Sequence, residues 1–416
     1  MLKLDLFIDK EDFFYFNEKY LYYVGLWPKR NSTVYKIYEI TLHILAIIYV
    51  IITGIGTFQI KDDTLVLMAN LDKTLVAYNF GLKIFFFVIK RSQLQKIINE
   101  IKYSGDKVSE ERVNFMAAHI IFITILSTII VSIFCFLAQY HGEMTVELWL
   151  PFDPMESKMN LILANQIIAI TFVVPHMYRA FAVQGIVCTI IMYFCDQLDE
   201  LQERIRSLVH SADNEIAMRV EFTKIIKKHV RLMRYSNTFT NIFKEFFLIQ
   251  NLAVTIELCL NAFMVTVVGR EQKTLLANFI AFLLVALLNA YIFCYLGDKL
   301  IEKSEGIALA AYESAWTSWP SDLQRDLLTA IRAAQKPLKL TAGGLATMCI
   351  QTYSQVLKST FILHLSQSVE SVRICGRCSA KLPSLTTLLP HYTSIVILKL
   401  KMKKLKVCNN YTCLYI

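Results

Sequence analysis

Ionisable side chains interrupt long apolar stretches of this sequence, among them Asp72, Lys73, His176, Arg179 and Glu257. An ionisable group in surroundings that exclude water is costly, so each of these needs a partner or a function. Asp72 and Lys73 are adjacent and point to different faces of a helix, which argues against a mutual pair. We expect His176, Arg179 and Glu257 to pair across helices, either as a functional site or as a buried structural tie.

Catalytic and metal-binding patterns are absent from the sequence. It contains no Gly-x-Ser-x-Gly, no His-Glu-x-x-His and no phosphate-binding loop. Cys375 and Cys378 have the spacing of half a zinc site, but no second pair with suitable spacing follows. Cysteines such as Cys135 and Cys188 lie in apolar runs, where cysteine usually packs as a small hydrophobe. We therefore expect no enzyme activity, no metal and no cofactor.

The elements that must position these side chains are long apolar segments. The chain of 416 residues is 55% hydrophobic and only 19% charged, against about 25% charged residues in soluble proteins. A helix needs about 20 mainly apolar residues to cross a bilayer. Segments that meet or approach this length are 37–58, 65–89, 113–139, 161–195, 242–268, 275–296 and 338–365. The sequence therefore predicts an all-α membrane protein with seven transmembrane helices.

Lysine and arginine are unequally distributed among the connections between these spans. They are frequent before span one and in alternate connections from there, whereas the other connections hold only Lys61, Lys158, Arg270 and Lys273. Because cytoplasmic connections retain basic residues, this predicts a cytoplasmic N-terminus and an extracellular end to span seven. The lipid bilayer thus accounts for the net charge of +9 without a nucleic-acid partner. This orientation is opposite to that of G-protein-coupled receptors.

The connection between spans four and five is patterned as two amphipathic helices. Apolar residues from 198 to 208, among them Leu201 and Ile205, recur at three- and four-residue steps between charges, and a second stripe follows at 225–233. One alternative is a loop lying on lipid headgroups. We favour a cytosolic base that packs against a neighbouring subunit, because stripes this apolar rarely stay exposed.

The stretch from 309 to 358 carries the most specific pattern of the chain. It reads LAAYESAW at 309–316, WP at 319–320, AQKPL at 334–338, LTAGG at 340–344 and TYSQVLK at 352–358. In order and spacing it strongly resembles the C-terminal signature of the insect odorant receptors. From about residue 3 to 358 the chain is similar to that family's plan, including its inverted topology.

The resemblance implies an odorant-gated, non-selective cation channel in the plasma membrane of olfactory neuron dendrites. It implies a tetramer with a co-receptor subunit and no requirement for a G protein. Volatile small-molecule odorants would bind within spans two to six, span seven would line the pore, and the cytosolic ends of spans four to seven would join subunits. A multi-pass transporter is the alternative from another class, although the internal repeat typical of transporters is not found.

An odorant pocket is expected to be apolar and aromatic, with few polar groups. Residues of suitable type and depth in spans two to four are Tyr78, Ser132, Phe136, Met177 and Tyr178. Each of them is equally compatible with ordinary helix packing.

Pore and interface candidates come from the C-terminal third of the chain. By resemblance, the pore-lining face of the last helix consists of Gln355, Ser359, Ile362 and Ser366. Tyr312 and Trp316 are four residues apart and join Leu201 and Ile205 as candidates for subunit contacts, with plain packing as the alternative.

Span seven and the residues after it carry further expectations. Pro337 is suited to begin a helix, and Gly343–Gly344 to divide span seven into two half-helices. After Lys358 the resemblance decays, and a basic run at 399–406 contradicts the predicted extracellular position. We interpret 366–416 as an atypical tail, produced by a gene-model or splicing error, after a domain at 1–365. An eighth span at 382–398 is the alternative.

Overall fold

A computed structural model describes residues 12–28, 32–108, 110–209, 215–267 and 273–358. All of them lie in one compact unit, Met1–Thr360. The α-helices are α1 (Tyr15–Tyr23), α2 (Thr33–Gln59), α3 (Thr64–Lys102), α4 (Glu110–His141), α5 (Lys158–Phe172), α6 (Arg179–Arg206), α7 (Glu215–Val267), α8 (Lys273–Glu313), α9 (Ser321–Ala334) and α10 (350–358). A π-helical turn (Val173–Tyr178) joins α5 to α6, and a 3₁₀ turn (Trp316–Ser318) follows α8. In the described part of the chain, the only strands are β1 (Thr341–Ala342) and β2 (Ala346–Thr347), which pair antiparallel.

Several helices extend well beyond the predicted spans. By length and composition alone, three helical stretches within the described ranges can cross a bilayer: Thr33–Gln59, Glu111–His141 and Lys158–Arg206. The predicted fourth span is the middle of the last of these, which is 49 residues long. The predicted second amphipathic stripe and span five form one helix, α7, of 53 residues.

The predicted start of span seven is wrong. Residues 336–340 are not helical, and the two strands that follow form a tight hairpin, so Pro337 begins no helix and α10 starts at residue 350. Gly343 and Gly344 have φ values of +59° and +72°, a backbone region that glycine enters without strain. They form the hairpin turn rather than a break between half-helices.

The hairpin is apolar because it is buried in protein rather than in lipid. Leu340 and Met348 are both 0% exposed. The N–H of Gly343 donates to the carbonyl of Lys244 on α7 at 2.8 Å. On the α8 side, a Cβ on Gly297 would overlap the carbonyl of Met348, so the missing side chain lets the hairpin approach the helix.

The largest hydrophobic core lies at one end of the bundle. We call this end the base; it comprises α1, the C-terminal parts of α3, α6 and α8, the N-terminal part of α7, α9 and the hairpin. The distal half is the opposite end, with the α2–α3 turn and the segment 142–157. The sequence predicts that the base is cytosolic.

The apolar stripes of the base pack within the chain. Leu201 is 0% and Ile205 4% exposed, and both belong to the large core between α6, α7 and α8. Ile225 and Leu232 of the second stripe are buried there as well. The assignment of Leu201 and Ile205 to a subunit surface is therefore wrong, because their partner is their own chain.

Candidate functional site

The helix that contains His176 changes its winding at a proline. Pro175 has no N–H to donate to the carbonyl of Thr171, and the backbone widens into the π-helical turn. The Nδ1 atom of His176 donates to that carbonyl at 3.2 Å. The imidazole is thereby held inside the bundle, where it is 0% exposed. Turns of this kind are frequent at functional sites.

Aromatic rings from four helices, α2, α3, α5 and α6, form a cluster at this histidine. The rings of Tyr49 and Phe172 lie 5.2 Å and 6.1 Å from His176, measured between centroids. Phe80 lies 6.5 Å from Phe172 and 5.9 Å from Phe181. We call Tyr49, Phe80, Phe172, His176 and Phe181 the aromatic cluster. Such a wall suits a small apolar ligand held by few polar contacts.

Three of the five predicted pocket residues adjoin this cluster. Met177 is 2% exposed and packs with Phe80 and Phe181. The hydroxyl of Tyr178 lies 3.3 Å from that of Thr128, and the hydroxyl of Tyr78 lies 3.1 Å from that of Thr53. Their role in ligand binding stays a prediction.

The other two predicted pocket residues face away from the interior. Ser132 lies on the exposed face of α4, and Phe136 is 67% exposed with its ring stacked on Tyr140. A pocket enclosed by this chain's helices does not include them. The sequence predicted how deep Ser132 and Phe136 lie along α4, but not on which face of the helix they lie. Because this helix is apolar on all sides, no pattern marks its inner face.

A second group of buried polar side chains joins α3 to α7. The Nδ2 atom of Asn261 donates to Oδ1 of Asp72 at 2.6 Å, and the Nζ atom of Lys83 donates to Oε1 of Gln250. The two bonded residues are eleven positions apart on each helix, about three helical turns, so antiparallel packing brings both pairs together on the facing sides. We call this set the polar seam; its members are Asp72, Asn79, Lys83, Gln250, Glu257 and Asn261.

The polar seam is incompletely paired. The Nζ atom of Lys83 lies 5.7 Å and 5.3 Å from the ring centroids of Phe80 and Phe246, so the aromatic faces help to offset its lost hydration. Three buried oxygens, Oδ2 of Asp72, Oδ1 of Asn79 and Oδ1 of Asn261, find no hydrogen-bond partner among the described residues.

The predicted pairing of His176, Arg179 and Glu257 is wrong. Arg179 is 0% exposed and its guanidinium contacts the ring of His43 on α2, with Nη2 3.2 Å from Nε2. His176 bonds a backbone carbonyl, and Glu257 lies in the polar seam. Nothing in the sequence pattern relates Arg179 to His43, 136 positions away.

The base contains a buried carboxylate, Asp106, whose partners differ from those in the polar seam. Asp106, outside the predicted spans, accepts from the hydroxyl of Tyr193 at 2.7 Å and from Arg231 at 2.6 Å, and Lys228 lies 3.3 Å away. Burial acts to raise the pKa of Asp106, but these hydrogen bonds and cations outweigh burial and lower it below the ordinary value. The carboxylate ties the α3–α4 connection to α6 and α7.

The predicted pore and interface residues are partly described. Helix α10 packs Tyr353, Val356 and Leu357 against α7 and α8. Its opposite face is exposed and contains Gln355, whereas Ser359, Ile362 and Ser366 lie outside the described residues. In the base, Tyr312 is 70% exposed, and its carbonyl accepts from Nε1 of the half-buried Trp316 at 3.2 Å.

A family model described as 7tm Odorant receptor matches residues 63–361. The chain belongs to this odorant receptor family. Odorant receptor 10 of Aedes albopictus is 22% identical over 168 residues, which cover 40% of this chain and 44% of the relative. Odorant receptor 30a of Drosophila melanogaster is 26% identical over 161 residues, 39% of this chain and 42% of the relative. In these alignments the chain spans under half the length of each relative.

Two solved structures share the fold. The insect olfactory receptor OR5 from Machilis hrabei has a TM-score of 0.69 at 16% identity, covering 84% of this chain and 96% of that chain. Its complex with eugenol has a TM-score of 0.67 at 19% identity, with the same coverage. The predicted fold class, an all-α protein with seven transmembrane helices, is confirmed. Membership of a receptor family also confirms the expectation that the chain is not an enzyme.

Sequence reasoning missed most of the aromatic cluster. Tyr49, Phe80, Phe172 and Phe181 were indistinguishable from other aromatic residues in apolar helices. Pro175 was the available signal, because a proline inside an apolar helix frees a carbonyl and widens the turn. Because Pro175 directly precedes His176, it marks that histidine as a candidate for the site.

Proposed function

We propose that this odorant receptor chain is the odorant-binding subunit of a heteromeric, ligand-gated, non-selective cation channel. It would lie in the plasma membrane of olfactory neuron dendrites with its N-terminus in the cytosol. The family match and the shared fold with an insect olfactory receptor support the receptor part of the proposal.

The exposed face of α10 is the observation that carries the channel part. Gln351, Gln355 and Lys358 are exposed at positions i, i+4 and i+7, while the opposite face packs on α7 and α8. Polar side chains facing hydrocarbon would be costly. A predicted transmembrane helix with such a face is therefore expected to meet water or other subunits, as a pore-lining helix does.

The remaining roles follow from the distal half and the base. The aromatic cluster offers an apolar wall to a small volatile ligand, and a receptor of the same fold is described in complex with eugenol. At the base, the exposed ring of Tyr312 is available to a second subunit. Aromatic anchors of this type are common in protein interfaces. We expect the second subunit to be an odorant co-receptor.

Recording odorant-evoked current with and without a co-receptor tests the proposal. We expect current only on co-expression, and persistence when G-protein signalling is blocked. Lys358→Glu should change the relative permeability to cations, whereas the matched reversal Lys336→Glu, at an exposed residue of the segment before β1, should not. An epitope tag at Met1 should be detected only after permeabilisation, and a tag at Asp153 in intact cells. Substrate uptake by the chain alone would support a transporter instead.

A further inference from the structure

We propose that Nε2 of His176 accepts a hydrogen bond from the hydroxyl group of an odorant, so that alcohols and phenols are the preferred ligands. The inference rests on the proposed function, in which the aromatic cluster contacts the odorant. It assigns a polar recognition atom and a ligand class to that cluster.

The hydrogen bond to Thr171 fixes the tautomer of this histidine. A carbonyl oxygen only accepts, so Nδ1 of His176, 3.2 Å away, must carry the proton. A neutral imidazole has one donor and one acceptor, which leaves Nε2 as a bare acceptor. A charge on this fully buried ring would be costly, so the neutral form applies.

The bare nitrogen is buried and unsatisfied. His176 is 0% exposed, and Nε2 finds no hydrogen-bond partner in the part of the chain that the structure describes. Buried polar atoms of folded proteins are nearly always hydrogen-bonded. A water molecule is a poor partner, since an ordered water needs two to four polar contacts and the neighbouring rings of Tyr49 and Phe172 offer it few.

The ring edge that carries Nε2 faces a position without a side chain. A Cβ built on Gly81 of α3 would lie 3.7 Å from both Nε2 and Cδ2 of His176. Space for about one methyl group therefore exists beside the acceptor, and a hydroxyl group is no larger. The apolar part of a ligand would continue along the rings of the aromatic cluster.

A bare acceptor nitrogen discriminates among the common classes of volatile compound. Esters, ketones, aldehydes and ethers offer only acceptor oxygens, and two acceptors cannot share a hydrogen bond. An alcohol or a phenol donates its O–H to the imidazole nitrogen. A site with a fixed buried acceptor rejects analogues that lack the donor, because the acceptor is then left unpaired.

Matched pairs of odorants test the assignment in cells that express the chain with a co-receptor. The probes are primary alcohols from 1-butanol to 1-octanol, benzyl alcohol, and the methyl ether of each. We expect lower half-maximal concentrations for the alcohols than for their ethers. His176→Phe should weaken the alcohol response about three- to tenfold, the value of one net hydrogen bond, and leave the ether response in place.

Two further variants separate recognition from folding. Gly81→Ala places a methyl group beside Nε2 at an ordinary contact distance, so it should also reduce the preference for alcohols while His176 and its bond to Thr171 remain. His119→Phe is the matched control, the same substitution at a half-buried histidine of α4 outside the aromatic cluster. It should leave the alcohol-to-ether ratio unchanged. Surface labelling measures the amount of each variant at the membrane.

The outcomes distinguish the inference from the proposed function. If the wild-type chain reaches the surface with its co-receptor and gives no current with any odorant, the proposed function fails. If it conducts but responds to ethers as well as to alcohols, the hydroxyl assignment is wrong. It is also wrong if Gly81→Ala and His176→Phe both keep the wild-type ratio. In these last two cases the receptor function stands.

Discussion

Asp106 in the base and Asp72 in the distal half are both buried carboxylates, at 5% side-chain exposure and 2% exposure respectively. Asp106 has Tyr193, Ser104, Arg231 and Lys228 as partners. Asp72 receives one hydrogen bond, from Asn261, and its second oxygen has no partner among the described residues.

The difference shows how each half uses buried polar groups. A buried carboxylate with several charge-assisted hydrogen bonds has one favoured geometry, so the Asp106 network holds connecting segments in place. Atoms without partners among the described residues also occur in the base, such as Nε of Arg231. That side chain nevertheless donates a short hydrogen bond to Asp106 through Nη2. In the distal half the unsatisfied atoms of Asp72 and His176 leave polar capacity available to a ligand or to a change of conformation.

The largest effect should come from breaking the fully paired carboxylate. Asp106→Ala leaves Tyr193 and Arg231 without their acceptor, while Lys228 keeps Glu200 at 2.7 Å. Removing one partner of a buried ion pair costs about 3–5 kcal/mol, and the partly exposed Arg231 side chain places this variant near the lower end of that range. We expect a large drop in the apparent melting temperature of the purified receptor, together with loss of surface expression. Melting curves of the receptor in detergent or nanodiscs measure it.

Glu100→Ala is the control for that prediction. Glu100 pairs with Arg234 at 3.3 Å, with side chains 38% and 65% exposed. Exposed pairs contribute about 0–1 kcal/mol, so this variant should melt close to the wild type. Equal losses for Asp106→Ala and Glu100→Ala would remove the distinction between the base network and an ordinary surface pair.

An intermediate effect is expected in the polar seam. Gln250→Leu removes the acceptor of the buried Lys83 ammonium, and a hydrogen bond to a charged group contributes about 1.5–3 kcal/mol. Lys83→Met together with Gln250→Leu removes both partners and should recover most of the loss, because no unpaired ammonium remains. Melting temperatures of the two single variants and the double variant measure the coupling between Lys83 and Gln250. A double variant less stable than Gln250→Leu would contradict this reasoning.

Sequence patterns located helices well wherever apolarity reflected a bilayer. Predicted spans 37–58 and 113–139 lie inside Thr33–Gln59 and Glu110–His141. The same measure failed at 338–349, since Leu340 and Met348 are apolar for burial against α7 and α8. Hydropathy records exclusion from water and does not say whether lipid or protein excludes it.

Side-chain partners were the least predictable part of the site. The contact of Arg179 with His43 and that of Asp72 with Asn261 join residues far apart in sequence. Helical spacing defined the faces on which these residues lie, but helix rotation and packing decide which face points inward. For this reason Phe136 was assigned to a pocket although its side chain is exposed.

The smallest effect is a pH dependence that arises in the base. Burial lowers the pKa of His229, which lies on α7 outside the predicted spans and is 6% exposed. As pH falls below about 6.5, the unfolded chain takes up a proton at this site and the folded chain does not. Stability should therefore decline with falling pH from about 6.5 to the lower pKa of the folded state, by at most about 1.4 kcal/mol per pH unit. His229→Gln should reduce the change of melting temperature with pH in that window. His141→Gln, at an exposed histidine, should not reduce it. If His229→Gln keeps the wild-type dependence of melting temperature on pH, the pH dependence does not arise from this histidine of the base.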